Sequence, residues 1–227
     1  MRAIFLVMGL LLAAGPAAAQ SLEDYDYEDL RFRGVGLDVG YIWPDKVEST
    51  EMYSVRLDLG YLGPGVRIIP SISYWSSRLT GEELDQMADR INNLTGGSIQ
   101  GSDLGPIEWS DISLSVDGHF VWNTPIDVLT WAGAGLGFHA LNGSGQAVDD
   151  TFVEDLLDAI SAGFALLAGA EVEPVDRLRV YGEGRYTIMN SIHYPSLRAG
   201  VQLMFSSGVG LTAGSVAPVP PIRGSHP

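Results

Sequence analysis

The feature of this sequence that most constrains its fold is an alternation of apolar and polar residues with a period of two. It recurs in eight segments between residues 34 and 205 and is very clear in residues 53–61. There, Val55 and Leu57 lie on either side of Arg56. Period two is the pattern of a β-strand whose two faces meet different surroundings. The sequence therefore predicts an all-β fold of eight strands.

The connections between these segments alternate between short and long. Residues 62–65, 123–127 and 174–176 are rich in turn-forming residues and predict tight turns. Residues 78–111 and 142–161 are longer connections. Short turns at one rim and longer loops at the other are typical of an antiparallel up-and-down barrel.

Each of the two long loops predicts one short amphipathic helix. Thr80 and Glu83 have the spacing of a capping box, and Thr151 and Glu154 repeat it. We expect the apolar faces of the two helices to cover each other across the barrel mouth, or each to rest on its own barrel wall. These faces consist of Leu84, Met87, Ala88 and Ile91 in the first helix and Phe152, Leu156 and Ile160 in the second.

Soluble barrels such as lipocalins show the same alternation with the faces exchanged, so the composition of the polar face must decide between the two. That face consists of glycine, serine and scattered charges of both signs, which suits a narrow interior. The apolar face carries aromatic residues near both strand ends, as in the two girdles of a membrane barrel. We therefore predict an eight-stranded transmembrane β-barrel. Its aromatic girdles are predicted to be Tyr41, Trp43, Tyr53 and Tyr74 towards the loops and Tyr61, Trp122 and Phe205 towards the turns.

The start of the chain has the pattern of a secretory signal peptide. Arg2 is followed by an apolar run and then by small residues before Gln20. The chain contains no cysteine, so an exported form does not depend on disulfides. The predicted organisation is a signal peptide at 1–19, an acidic N-terminal segment at 20–33, the barrel at 34–205 and a Gly/Pro-rich tail at 206–227.

The charge of the chain excludes one class of partner. The formal net charge is -15, with 28 acids against 13 bases, and Lys46 is the single lysine. A protein that must neutralise phosphates needs the opposite balance, so we expect no nucleic-acid partner. The acids concentrate in the long loops, with seven against two arginines in residues 78–111 and five in residues 142–161.

The last segment, residues 197–205, alternates apolar residues and ends in an aromatic one. In this it resembles the assembly signal of small eight-stranded outer-membrane barrels of the OmpA, OmpX and opacity-protein type. Residues 180–186 are similar to the penultimate strand of such barrels. The resemblance implies a bacterial outer-membrane location, with outer-membrane lipid and the barrel assembly machinery as partners. The residues that carry the resemblance to the assembly signal are Leu197, Val201, Leu203 and Phe205.

Charged residues on the polar face would lie inside such a barrel. They suggest either an ion pathway or a structural network of paired charges. We favour the network, because eight strands enclose a space that side chains fill. No ligand set for a metal and no cofactor site is evident, and His139 is expected to join the network. The predicted network consists of Asp38, Arg56, Asp58, Arg67, Asp117, His119, Glu171, Glu183 and Arg185.

No arrangement of nucleophile, base and orienting group is evident, so we do not expect an enzyme. The predicted function is that of an outer-membrane barrel with a filled lumen and a structural, adhesive or binding role through its acidic loops. Two alternatives stay open: a narrow porin-like channel for small solutes, and a soluble periplasmic lipocalin-like carrier.

Overall fold

The computed structural model of the chain describes residues 29–145 and 159–205. Its strands are β1 (Leu30–Ile42), β2 (Thr50–Leu62), β3 (Val66–Arg78), β4 (Glu108–Asn123), β5 (Leu129–Ser144), β6 (Ala159–Val175), β7 (Leu178–Met189) and β8 (His193–Met204). Each strand pairs antiparallel with its neighbour in the sequence, and β1 pairs with β8 to close a barrel. The predicted eight-stranded antiparallel barrel is confirmed. We call the end with the longer loops the outer end and the end with the tight turns the inner end.

Successive side chains point alternately into and out of the barrel, and the apolar ones face outward. On β2, Val55 and Leu57 are exposed on the outside, whereas Arg56 is completely buried inside. Large apolar side chains are exposed in the same way on all eight strands. The alternation of the sequence thus assigns the two faces correctly.

One residue of the predicted girdles is placed wrongly by this alternation. The pairing of β2 with β3 is interrupted between Arg56 and Tyr61, and Gly60 adopts a positive φ of 80° there. Such a bulge adds a residue and changes which face the following side chains occupy. Tyr61 is therefore opposite the inward residue Arg67 and packs against buried apolar residues at the inner end. The other six predicted girdle residues are exposed.

The first strand begins at Leu30 rather than at residue 34, because Leu30 at the inner end pairs with Gly60 of β2 beyond an irregularity in register between Leu30 and Gly34. Phe32 and Phe205 are both exposed there, and their ring centroids are 5.3 Å apart. The predicted signal peptide at 1–19 and the tail at 206–227 lie outside the described residues, as does most of the segment at 20–33.

Helix α1 (Gly81–Thr95) forms where the first capping signal predicts it. Thr80 Oγ1 accepts a hydrogen bond from the backbone N–H of Glu83, at 3.4 Å, but the reciprocal half of the capping box is absent. The Thr80 backbone N–H instead donates to Lys46 O, which ties the helix to the loop between β1 and β2. The described helices, which also include a 3-10 turn at Gly101–Leu104, are too short or too polar to span a bilayer.

The last apolar residue assigned to the second predicted helix lies in a strand instead. Residues 146–158, which include Phe152 and Leu156, lie outside the described residues. Ile160 belongs to β6 and its side chain is exposed. Its assignment to a buried helix face is therefore wrong, because the strand begins at Ala159.

The apolar side of α1 rests on the mouth of its own barrel. Met87 and Ala88 are buried there, and Leu84 and Ile91 are partly buried. We call the apolar cluster that fills this position the mouth plug. It consists of Ile42, Val47, Met52, Trp75, Leu79, Met87, Ala88, Leu104, Ile107, Trp109, Leu141, Met189, Ile192 and Tyr194.

Candidate functional site

The interior below the mouth plug is filled by charged side chains. All nine residues of the predicted network lie inside the barrel, and Arg179 and Arg198 join them. We call the ten acids and arginines in this layer the charged core. It consists of Asp38, Asp58, Asp117, Glu171 and Glu183 and of Arg56, Arg67, Arg179, Arg185 and Arg198.

The inner half of the charged core is organised around Glu171 on β6. Its Oε1 accepts hydrogen bonds from Arg67 and Arg179, each at 2.8 Å, and its Oε2 lies 3.7 Å from Arg56 Nη2. Gln202 connects this group to Asp58, because it accepts from Arg56 Nε at 2.9 Å and donates to Asp58 Oδ2 at 3.1 Å. Arginines from β2, β3 and β7 thus converge on one carboxylate.

The outer half is organised around Glu183 on β7. Its Oε1 accepts from Arg198 Nε at 3.0 Å and from Arg185 Nε at 3.3 Å. Arg185 also donates to Asp117, and Arg198 Nη1 lies 4.0 Å from Asp38 Oδ1. Two arginines therefore share the carboxylates of β1, β4 and β7.

Aromatic rings join the two halves. The guanidinium carbon of Arg56 lies 3.1 Å from the centre of the Tyr181 ring, and Tyr181 Oη donates to Asp38 at 2.6 Å. The Trp131 ring is stacked on His119, with ring centroids 5.3 Å apart and planes 4° apart. Stacking on an aromatic face lets a buried guanidinium keep favourable electrostatic contacts where it has no carboxylate.

Interior glycines make room for these large side chains. A Cβ at Gly169 would collide with the Trp131 ring, and a Cβ at Gly200 would collide with Tyr181 and with the backbone of β1. At these two positions glycine is required by the volume of the aromatic residue that faces it. Substitution at either glycine would displace the aromatic ring from the charged core.

Sequence reasoning missed several members of this layer. Arg179, Arg198 and Gln202 stand at inward positions of the alternation, which was the available signal for including them. Trp131 and Tyr181 are inward as well, although aromatic residues near strand ends of a barrel are expected in the girdles. Some contacts follow from hairpin register, since Arg198 on β8 pairs directly with Glu183 on β7. Others, such as that of Tyr181 with Asp38, join strands that do not pair and could not be read from the sequence.

A small cavity lies between the charged core and the mouth plug, and we call it the chamber. Its volume is about 20 Å³, counted as the space open to the centre of a water molecule. Met52 and Tyr194 of the mouth plug border it on one side, and Arg185 and Arg198 border it on the other. Its wall also includes Ser73, Ser113, Ser115, Gly135, Gly137, His139, Gly163, Ala165 and Thr187.

His139 is the most distinctive group in the wall of the chamber. Its Nδ1 lies 2.8 Å from Asp111 Oδ2, and both residues are buried. The other ring nitrogen, Nε2, lies beside Gly137 and Gly163. In residues 29–145 and 159–205, no three His, Asp or Glu side chains are placed so that they could hold a metal ion.

The outer end carries an excess of exposed carboxylates, which we call the acidic outer surface. Lys46, Arg78 and Arg90 lie among them. Lys46 and Arg90 are already close to Glu83, at 4.0 Å and 2.9 Å, and Arg78 is exposed at the outer end of β3. These three cations still leave most of the exposed carboxylates uncompensated. The described members of the acidic outer surface are Asp45, Glu48, Glu51, Glu82, Asp85, Asp89, Asp103 and Glu108.

The four residues of the predicted assembly signal lie on the outside of the barrel at its closing seam. Leu197, Val201 and Leu203 of β8 are exposed. Phe205 follows the strand, and its backbone N–H donates to Arg33 O at 2.7 Å. Their position makes them accessible from the membrane side, and their role in assembly stays a prediction.

The exterior of the barrel is that of a membrane protein. Apolar side chains are exposed around the whole barrel, including Leu37 on β1, Leu136 on β5 and Leu197 on β8. Only a closed barrel or a helix satisfies its backbone hydrogen bonds inside a bilayer, and this chain has the closed barrel. An antiparallel barrel with an even strand number and such an exterior is an outer-membrane barrel, so the predicted location is confirmed.

The solved structures that resemble this chain share little of its sequence. No protein-family model and no curated protein sequence matches the chain. Neisserial surface protein A (NspA) is similar at 14% identity and a TM-score of 0.49, covering 76% of this chain and 97% of that protein. Ail, the attachment invasion locus protein of Yersinia pestis, is similar at 13% identity and a TM-score of 0.46, and the match covers 78% of this chain and 99% of Ail. A major outer membrane protein from Thermus thermophilus is similar at 12% identity and a TM-score of 0.48, and the match covers 76% of this chain and 99% of that protein.

Proposed function

We propose that this outer-membrane barrel is a surface-binding protein, in which a closed barrel anchors the acidic outer surface and that surface binds cationic partners. The observation that carries the proposal is the combination of an interior whose charged side chains are buried with an outer end on which the described residues present eight exposed carboxylates against Lys46, Arg78 and Arg90. A filled barrel offers no route for a solute, so its external surface is the part available for a function.

The rigidity of the outer end supports this role. Lys46 O accepts the backbone N–H of Thr80, and Glu48 donates its backbone N–H to Arg78 O at 2.8 Å. The loops before β2 and after β3 are therefore held together, and α1 is fixed on the mouth plug. Carboxylates on a fixed surface bind a cationic partner without first losing loop entropy, which favours affinity.

The two alternatives have less support. A narrow channel would need a continuous path, whereas the mouth plug and the charged core both cross the lumen and the chamber between them holds only about 20 Å³. A soluble lipocalin-like carrier would bury its apolar face inside. Here Leu57 and Ile112 are exposed outside, and Arg56 and Asp117 occupy the inside. Catalysis has no support beyond the Asp111–His139 pair described above.

Charge-matched variants at the two ends of the barrel test the proposal. Asp85→Asn with Asp89→Asn removes two exposed carboxylates from α1. Asp127→Asn with Asp176→Asn removes two from the inner turns, and Asn tolerates the positive φ of 57° at residue 127. Each protein would be inserted in neutral lipid nanodiscs, and its binding to a polylysine-coated surface would be measured by biolayer interferometry.

We expect the outer pair to weaken polylysine binding several-fold and the inner pair to leave it nearly unchanged. Raising the salt concentration should abolish the difference, because the Debye length falls from about 10 Å at 0.1 M to about 3 Å at 1 M. Equal losses in the two variants would show that only net charge matters and would overturn the proposed binding surface.

A further inference from the structure

We propose that the chamber is a hydration site, which binds one or a few ordered water molecules between the two closures of the lumen. This inference goes beyond the proposed surface function and does not depend on it. It rests on the volume of the chamber, the polarity of its wall and the unsatisfied groups that surround it.

The volume is sufficient for water. A cavity needs roughly 10 to 15 Å³ of space, measured in this way, to hold one water molecule. The chamber has about 20 Å³. Glycines in its wall maintain this space, because a Cβ at Gly135 would collide with Asp117 Oδ1 and a Cβ at Gly163 would approach His139 Nε2 to 2.6 Å.

The wall supplies hydrogen-bond donors. Ser73 and Ser113 Oγ are 2.7 Å apart, and Ser71 and Ser115 Oγ are 2.8 Å apart. In each pair one hydroxyl donates its hydrogen atom to the other. The hydrogen atom of the accepting hydroxyl is then free to donate to another group. Ser73, Ser113 and Ser115 all line the chamber, and a water molecule there can accept from them.

The surroundings also supply acceptors that lack partners. Asp117 is completely buried, and its Oδ1 has no hydrogen-bond partner among the described residues. This oxygen lies over Gly135, which belongs to the wall of the chamber. An unpaired buried carboxylate oxygen is strongly unfavourable, and a water molecule that donates to it removes the penalty. His139 Nε2 lies beside Gly163 in the same wall and gives water a further hydrogen-bonding partner.

The electrostatics favour water over an ion. Arg185 and Arg198 form the inner wall and oppose a cation. The carboxylates of Asp111 and Asp117 lie close by and oppose an anion, and the charged core holds equal numbers of acids and arginines. A neutral molecule that both donates and accepts hydrogen bonds fits every group in the wall, and at this volume that molecule is water.

The first experiment uses two alanines on the same strand. The Ala165 side chain points into the lumen and lines the chamber, whereas Ala168 is exposed on the lipid side of β6. Protein with ¹³C-labelled alanine methyl groups in a deuterated background would be studied by NMR in phospholipid nanodiscs. We expect a cross-relaxation peak between the Ala165 methyl group and water, and contact of the Ala168 methyl group with lipid chains only. Absence of the water peak at Ala165 would overturn the proposal.

The second experiment measures stability in matched variants. In a hydrated chamber Ala165→Val displaces water and strips its hydrogen bonds, so the urea midpoint should fall, whereas Ala165→Ser should stay near the original value. Ala168 faces lipid, so there Ala168→Val should have the higher urea midpoint and Ala168→Ser the lower one. A higher midpoint for Ala165→Val would mean that valine fills an empty void, and hydration would then be excluded.

Discussion

The lumen is closed twice, and the two closures have opposite chemistry. The mouth plug is apolar and combines strand residues such as Trp75 with loop and helix residues such as Met87. The charged core lies nearer the inner end and consists only of side chains from the strands. The mouth plug therefore depends on how the outer loops fold, whereas the charged core depends on the register of the barrel itself.

The two closures respond differently to the loss of a side chain. Truncating an apolar side chain removes buried area and leaves a cavity, and neighbours can partly close it. Removing one carboxylate from the charged core leaves this buried layer with one more positive than negative charge, and the remaining carboxylates are already shared among the arginines. The charged core should consequently be the more sensitive of the two closures to single substitutions.

The largest effect is expected at the centre of the charged core. Glu183→Gln removes the negative charge that Arg185 and Arg198 share, and we expect it to lower the free energy of unfolding by about 3 to 5 kcal/mol. The measurement is urea-dependent unfolding in lipid vesicles.

A compensated variant separates charge from packing. Glu183→Met combined with Arg198→Met removes one charge of each sign, and replacing a buried pair in this way is often neutral. We expect the double variant to recover most of the stability that Glu183→Gln loses. If it is less stable still, shape complementarity rather than charge balance holds this layer together.

The mouth plug provides the next effect in size. Trp75 is 1% exposed and its ring centroid lies 6.0 Å from that of Tyr194. We expect Trp75→Ala to lower the stability by about 3 kcal/mol, and Trp75→Phe to lose much less because a ring is retained. The same unfolding assay applies. A loss for Trp75→Ala greater than that for Glu183→Gln would reverse the ranking of the two closures.

A smaller effect on stability is expected at the N-terminus of helix α1, which rests on the mouth of the barrel. Thr80→Ala removes the side-chain cap of α1 and should destabilise the helix by about 1 kcal/mol, while Thr80→Ser keeps the hydroxyl and serves as the control. Hydrogen exchange of the amides of residues 81–95 would detect this local opening. Faster exchange in the strands as well would show that the helix and barrel unfold together.

No effect at all is expected on conduction when only one closure is weakened. Trp75→Ala combined with Met87→Ala loosens the mouth plug, but the charged core still crosses the lumen. Planar bilayer recordings of this variant should show no large, steady openings, as we also expect for the unmodified protein. Openings of nanosiemens size in the double variant would mean that the mouth plug alone closes a pore.

Much of this architecture could be predicted from the sequence because a barrel strand has only two faces. The positions of Leu57 outside and Arg56 inside follow from period two alone. The errors arise where that rule breaks: the bulge at Gly60 turns Tyr61 inward, and the early start of β6 makes Ile160 a strand residue. The contact of Arg67 with Glu171 could not be predicted, because β3 and β6 do not pair and meet only across the lumen.

The balance of five acids and five arginines in the charged core also bears on how the protein enters a membrane. An isolated hairpin of β7 and β8 would carry Glu183, Arg185 and Arg198 into hydrocarbon with one face unshielded, at a transfer free energy of several kcal/mol per charge. Only when all strands are joined are these groups enclosed and neutralised together. We therefore expect insertion of the strands to be concerted, because intermediates that leave these charges unenclosed are unfavourable.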